Sequence, residues 1–179
     1  MIFLETERLR LRNVMPGDAG EMFDYRNNEI CSRYQRGQTK DLPGIEQLLQ
    51  RRGQDALSLE QPCLIGVALK GTDGLIGEIV VMPNDETISL GYTFSYKHHR
   101  QGYAYEALSA LILKLREMAP DWEFISFTHP ENRASMGLLT KLGYRNLGYI
   151  PSMESQAFGK WVKESTIEEI ARLQPGNEG

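Results

Sequence analysis

The chain has 179 residues, 41% of them apolar and 25% charged, with a formal net charge of −4. That length and mixture suit one soluble domain able to bury about 70% of its extended surface. Mild acidity without a long basic block argues against bulk attraction to nucleic acid or to an anionic membrane. No apolar run approaches the length of a membrane-spanning helix, and Met1 to Arg8 lacks the regions of a signal peptide, so the expected compartment is the cytoplasm. Cys31 and Cys63 lie far apart without metal-ligand spacing; they are expected to be partly buried free thiols, and no metal site is expected.

Taken in order, Leu4 to Arg12 alternates after Arg8 and predicts a first strand with Leu9 and Leu11 inward. Pro16-Gly17-Asp18-Ala19 reads as a helix start, with Met22 and Phe23 on the turns that follow. Residues 28–60 are the least patterned, although Ile45, Leu48 and Leu49 give a short helical stripe over Leu42–Leu49. Cys63–Leu69, a Gly- and Asp-rich turn, and Leu75–Met82 predict a hairpin. Pro83-Asn84-Asp85 then reads as the turn into a third strand over Thr87–Tyr96. Three such strands imply an antiparallel meander. Glu78 interrupts an apolar strand, and it is either a solvent-facing carboxylate or a residue lining a groove.

At Ala104 the apolar period changes. Ala104, Ala107, Leu108, Leu111, Ile112 and Leu115 share one helical face. Gly102 stands where the chain must turn sharply and where a side chain would keep a ligand from the first-turn amides. Those amides, backed by the helix dipole, can hold a phosphate or pyrophosphate, and Lys97, His98, His99 and Arg100 add positive charge at the rim. An ordinary strand-to-helix turn with a solvated basic surface is the alternative. Trp122–Thr128 predicts a further strand, parallel to the one before the helix through a right-handed crossover. In the next helix Asn132 is a plausible N-cap, Leu138, Leu139 and Leu142 form the packing face, and Gly143 closes the end. Tyr144–Tyr149 and Ala157–Lys163 predict a last hairpin, Thr166–Leu173 a short helix, and 175–179 a frayed tail.

Several of these segments resemble one family. His99-Arg100-Gln101-Gly102-Tyr103-Ala104 resembles the acyl-CoA-binding pattern Q/R-x-x-G-x-G/A of the GNAT superfamily of N-acetyltransferases, departing from it only at His99. Asn132-Arg133-Ala134-Ser135 with Lys141-Leu142-Gly143-Tyr144 resembles its second signature. Glu5-Thr6-Glu7-Arg8-Leu9-Arg10-Leu11-Arg12 and Glu106-Ala107 resemble the subgroup containing the ribosomal-protein N-terminal acetyltransferases, the Rim-type enzymes. The resemblance runs from Leu4 to about Lys163. It implies an α/β (α+β) fold: a mixed, mostly antiparallel central sheet flanked by helices, with splayed strands forming the acyl-CoA cleft. The expected division is a GNAT-like domain over residues 1–165 and a short helix and tail over 166–179.

The resemblance also implies chemistry: an amine attacks the thioester of acetyl-CoA directly, with no metal. Acetyl-CoA, as co-substrate, is expected between Leu90–Tyr96 and Phe124–Thr128. Backbone groups of Thr93, Phe94 and Ser95 would pair with the pantetheine arm, and amides of Arg100, Gln101, Gly102, Tyr103, Ala104 and Tyr105 would hold the pyrophosphate. Asn132 would also bind the pantetheine arm, and Ser135 would sit near the sulfur. Family members often carry a tyrosine as acid where this chain has Leu139, and a glutamate on the strand before the phosphate turn where it has Ser89. Ser135 therefore becomes the candidate for stabilising the thiolate, and Glu78, or else Glu86, the candidate base. The family places residues 28–60 over the acceptor groove, which makes Tyr25, Arg26, Tyr34 and Arg36 candidate acceptor contacts. At pH 7 about 14% of an α-amine is neutral against about 0.04% of a lysine amine, so a site without a strong base suits an α-amine better.

The acceptor is thus expected to be a small-molecule amine or a protein N-terminus, acted on by a monomer or homodimer without nucleic-acid or membrane partners. Free amino acids, polyamines and aminoglycosides stay open as acceptors. A catalytically inactive acyl-CoA-binding regulatory or interaction module of the same fold is the alternative. A different phosphate-binding α/β enzyme is disfavoured, because no G-x-x-x-x-G-K-[ST] loop is present.

Overall fold

Alternation of side chains along the central strands divides the molecule into two apolar layers. The computed structural model describes residues 1–176. In β3 (Cys63–Leu69), Cys63, Ile65 and Val67 face the larger core while Leu64 faces the smaller one. Its neighbour β4 (Leu75–Asn84) continues both layers, and β5 (Thr87–Phe94) the larger one. The larger layer is closed by α4 (Tyr103–Met118), whose Ala107, Leu108, Leu111, Ile112 and Leu115 are buried at the spacing of one helical face. On the smaller layer, Met22 and Tyr25 of α1 (Ala19–Asn27), which the short α2 (Glu29–Ser32) follows, pack with Ile45 and Leu49 of α3 (Leu42–Arg52).

The eight strands form one sheet in the order β1-β2-β3-β4-β5-β6-β8-β7, where β1 is Ile2–Glu5, β2 Leu9–Asn13, β6 Glu123–Thr128, β7 Arg145–Ile150 and β8 Ser155–Lys160. Every pairing is antiparallel except β5 with β6, which α4 joins as a crossover. The mostly antiparallel mixed sheet therefore stands as expected. Among the described residues no helix is long and apolar enough to cross a membrane.

Three expectations of local structure, the first strand, the Pro83 turn and the burial of Cys63, need correction. The strand expected over Leu4–Arg12 is instead two strands, because Thr6 exchanges hydrogen bonds with Leu9 and turns the chain at Thr6–Arg8. β4 runs through Pro83, which pairs with Ile88 between the Met82–Ser89 and Asn84–Thr87 rungs. The alternation of the ladder puts Pro83 at a position that asks for no donated N–H, and the turn falls on Asp85 and Glu86, both at positive φ. Cys63 is fully buried and Cys31 only partly; both are free. The expected boundary at 165/166 falls inside α6 (Glu164–Arg172), whose Ile170 packs on Ile150 and Ala157. The frayed tail expected over 175–179 begins as a turn at Pro175 and Gly176, and its last three residues lie outside the described residues.

Candidate active site

The parallel strands β5 and β6 share only the pairs Thr87–Glu123 and Ile88–Phe124 and then diverge. Beyond them β5 pairs only with β4, and β6 only with β8. A cavity of about 250 Å³ opens in the gap, lined by Leu90, Gly91 and Tyr92 of β5 and by Ser126 to Thr128 of β6. Asn132 and Ser135, beside and within α5 (Arg133–Lys141), and the segment Tyr34–Arg36 complete its walls. The ladder assigns the backbone edges. Ser95 donates to Ile76 and Thr93 stands opposite Glu78, so alternate residues Leu90, Tyr92 and Phe94 turn their N–H and C=O toward the gap. The Tyr92 carbonyl accepts from Gln35 Nε2 at 3.0 Å. The Phe94 carbonyl lies 3.3 Å from Cys31 Sγ and 2.7 Å from His99 Nε2. Of the three residues expected to offer backbone to a ligand, Phe94 turns its N–H and C=O toward the gap, whereas Thr93 and Ser95 point their backbones into the sheet.

Across the gap, Tyr92 Oη and Ser135 Oγ share a hydrogen bond of 2.8 Å. Asn132 caps α5 by accepting from the Ser135 amide at 3.1 Å, which fixes the Ser135 backbone at the cleft. Burial pushes the Tyr92 phenol up, and its bond to Ser135 offsets part of that rise. The phenol is therefore a protonated donor at neutral pH. Leu139 lines the same cavity one turn after Ser135, so the phenol facing Ser135 comes from β5 and not from α5. Ser126, 3% exposed, lines the cavity with its hydroxyl directed at the buried Tyr144 phenol; burial pushes that phenol up and its interaction with Ser126 offsets part of the rise.

The turn before α4 is built for close approach to backbone. Arg100 and Gly102 both adopt positive φ, and Gly102 at +80° is the N-cap residue, with no side chain capping the helix. The first bond of the helix runs from Glu106 N to Gly102 O, which leaves the amides of Tyr103, Ala104 and Tyr105 ahead of the ladder. Such a terminus can take a phosphate. The expected basic rim is used differently. Lys97 pairs with Glu21 and Asp24, and His99 turns its ring back onto Phe94, so the exposed Arg100 is the remaining arginine beside the amides.

A clamp missed in the sequence holds this turn. Glu106 accepts from Thr6 Oγ1 at 2.6 Å, from the Arg8 amide at 2.9 Å and from Arg8 Nε at 2.6 Å. Arg8 Nη1 donates to the Gln101 carbonyl at 3.0 Å, and the guanidinium lies 4.3 Å from the centre of the Tyr103 ring. Thr6-x-Arg8 and Glu106, noticed as separate phrases, are thus two halves of one contact.

Glu78 does not line the cavity. It is 2% exposed, neither solvent-facing nor groove-lining. Its oxygens accept from Tyr25 Oη at 2.8 Å, Arg26 Nη2 at 2.6 Å and Nε at 3.2 Å, and Gln38 Nε2 at 3.3 Å. Gln38 also donates to Thr93 Oγ1 at 2.9 Å, and Arg26 to the Thr39 carbonyl at 2.9 Å. This network docks α1 and the segment 38–39 on β4 and β5. It also absorbs Tyr25 and Arg26, which are buried and do not reach the cavity. Tyr34 and Arg36, the other two candidate acceptor contacts, do line it. Glu86 is at the far hairpin turn, 3.3 Å from Lys163, and away from the cavity.

The comparisons with known proteins agree with this geometry. The family model described as an acetyltransferase (GNAT) domain matches residues 8–145. The chain belongs to the GNAT acetyltransferase family. Its relatives include YoaA of Bacillus subtilis, described as an uncharacterized N-acetyltransferase, 28% identical over 158 residues that cover 82% of this chain and 85% of that protein. A GNAT-family acetyltransferase from Bacillus anthracis superposes with a TM-score of 0.74 at 22% identity, covering 89% of this chain and 96% of its own. RimL, a ribosomal L7/L12 alpha-N-protein acetyltransferase solved with coenzyme A, gives 0.73 at 12% identity, covering 89% and 97%. At those identities the two structures speak for the fold.

Two predictions follow from the buried and half-buried carboxylates. Glu78→Gln leaves the Arg26 guanidinium buried without its counter-charge and should cost about 3–5 kcal/mol, read as a fall in Cm by denaturant titration. Glu106 is raised by burial but pulled further the other way by Thr6 and Arg8, so its carboxyl ionises below the usual range. A group depressed on folding stabilises above its unfolded pKa and loses that contribution as pH falls through the folded value. The Tm difference between wild type and Glu106→Gln should therefore be full at pH 6 and shrink steadily in acid below about 4.3.

Proposed function

We propose that the protein transfers the acetyl group of acetyl-CoA to a primary amine by direct attack, and that an α-amine is the favoured acceptor. The observation that carries this reading is the Tyr92–Ser135 hydroxyl pair, held across the gap between strands that part at Ile88 and Phe124. The Phe94 amide faces the gap, the Gly102 turn offers first-turn amides without a capping side chain, and the Ser126 hydroxyl lines the cavity. All three suit a thioester with a polar pantetheine arm and a pyrophosphate. The RimL structure, solved with coenzyme A, has the same fold.

In the reaction the amine nitrogen forms a bond to the thioester carbonyl carbon, the C–S bond breaks, and the electron pair leaves on sulfur. Tyr92 and Ser135 act as one donor unit at that sulfur: the hydroxyl facing it gives a proton or hydrogen bond as charge develops, and its partner supports it. The ammonium formed on the attacking nitrogen loses its proton to water. Among the described residues no carboxylate lines the cavity to do this, and Glu78 is spent on Arg26 and Tyr25. An amine that arrives neutral is therefore favoured, which selects α-amines over lysine side chains. No similarity found here favours the catalytically inactive alternative.

The test is steady-state CoA release from acetyl-CoA with a panel of α-amines and ε-amines, for wild type, Ser135→Ala, Tyr92→Phe and the double variant. Each single variant should bind acetyl-CoA as wild type does and lose about 10- to 100-fold in kcat, the worth of one transition-state hydrogen bond of roughly 1.4–2.7 kcal/mol. The double variant should be little worse than either, as expected of groups acting together. With Glu78 outside the chemistry, log kcat/KM should rise with pH until the acceptor's own amine is neutral, near 7.8 for an α-amine. Equal turnover in all four proteins would remove the pair from the mechanism.

A further inference from the structure

The segment that closes the cavity has a charge the rest of the chain does not. Arg33 to Lys40 reads R-Y-Q-R-G-Q-T-K, three cations and no anion, in a chain of net charge −4. Arg33 is placed over the Tyr34 ring, 5.4 Å from its centre. Arg36 is exposed and lines the cavity, and its guanidinium has no ion-pair or hydrogen-bond partner among the described residues. Among the described residues no Asp or Glu lines the cavity.

Opposite this segment stands His129, also lining the cavity, stacked on Tyr34 with ring centres 4.9 Å apart and planes at 24°. Its Nδ1 accepts from the Glu131 amide at 3.1 Å, and Tyr34 Oη donates to the Glu131 carbonyl at 3.3 Å. A neutral imidazole that accepts at Nδ1 carries its proton on Nε2, so the ring offers a donor and not a base. The cavity lining thus carries a free guanidinium and an imidazole N–H, and among the described residues the nearest carboxylate is that of the exposed Glu131, whose backbone holds His129 and Tyr34 but whose side chain is not part of the lining. A guanidinium fork fits a carboxylate, whereas a polycation entering here meets like charge with no acid in the lining to pair with.

We infer that the acceptor carries a carboxylate close to its reactive amine, and that Arg36, with His129, selects for it. The substrate class is then acidic amines, either a free acidic amino acid or a protein N-terminus with acidic residues beside it, and not a polyamine or an aminoglycoside. This inference rests on the acetyltransferase reading above. Arg36 acts as a specificity determinant on the acceptor and takes no part in the transfer itself.

The experiment measures CoA release with C-terminally amidated peptides that share an N-terminal serine and continue with glutamate, alanine or lysine, alongside free glutamate and spermidine. At low salt kcat/KM should fall from the glutamate to the alanine to the lysine peptide by roughly 10-fold or more overall, and added salt should narrow the spread. Comparing free glutamate with the glutamate peptide separates the two sources of the carboxylate. Arg36→Glu should raise KM for acidic acceptors by about 10-fold or more and reverse the order, leaving KM for acetyl-CoA in place, while Arg36→Lys should keep part of the preference. Acetylation without regard to charge would overturn this inference and leave the acetyltransferase reading standing, as would an Arg36→Glu effect confined to acetyl-CoA. Failure of every amine to release CoA would overturn both.

Discussion

Two parallel strands that hydrogen-bond at only two residue pairs and then separate define everything else at this site. A sheet that parts internally leaves backbone polar groups without their ladder, and buried groups of that kind must find other partners. Here the carbonyls of Tyr92 and Phe94 are taken by Gln35, Cys31 and His99. The amides on the same edge are left facing the gap. The fold thus tolerates an interrupted sheet by satisfying half of the exposed edge internally and reserving the other half for a ligand.

Two charge networks keep that gap in shape, one beside the C-terminal end of β5 and one at the turn that follows it. Glu78, Arg26 and Gln38 fasten α1 and the segment before α3 to the strand pair from the smaller core. Arg8, Thr6 and Glu106 tie the β1–β2 turn to the first turn of α4 and to Gln101. The first is buried, so its value is conformational as much as energetic, since an ion pair out of water offsets little more than its own desolvation. The second is half exposed and contributes less stability, but it sets the backbone of the turn where a phosphate would sit.

How far the sequence disclosed this arrangement follows from the range of each interaction. Periodicity located α4, α5 and the β3–β4–β5 meander because helix and strand faces repeat within a few residues. Gly102 and Asn132 were legible for the same reason, being local answers to a turn and a cap. Glu78 was misread as a solvent-facing or groove-lining residue because its partners lie 52 and 53 positions away in α1. The pairing of Tyr92 with Ser135 left no local signal, since their bond spans 43 residues and a crossover. The Arg8–Glu106 clamp spans 98 residues, yet each half had been noticed as a phrase, and pairing opposite charges between phrases is the signal that could have found it. Arg36 and His129 carried no local pattern; only the closure of the cavity brings them together.

The central claim is that the open edge of β5 and the first turn of α4 together receive acetyl-CoA. Residue-resolved amide hydrogen exchange by NMR, with and without acetyl-CoA, addresses it directly. The account predicts slowed exchange at Tyr92 and Phe94 and at Tyr103, Ala104 and Tyr105, with Thr93 and Ser95 unchanged because their backbones already pair within the sheet. Protection that appears elsewhere on the molecule while these five amides exchange as before would contradict it.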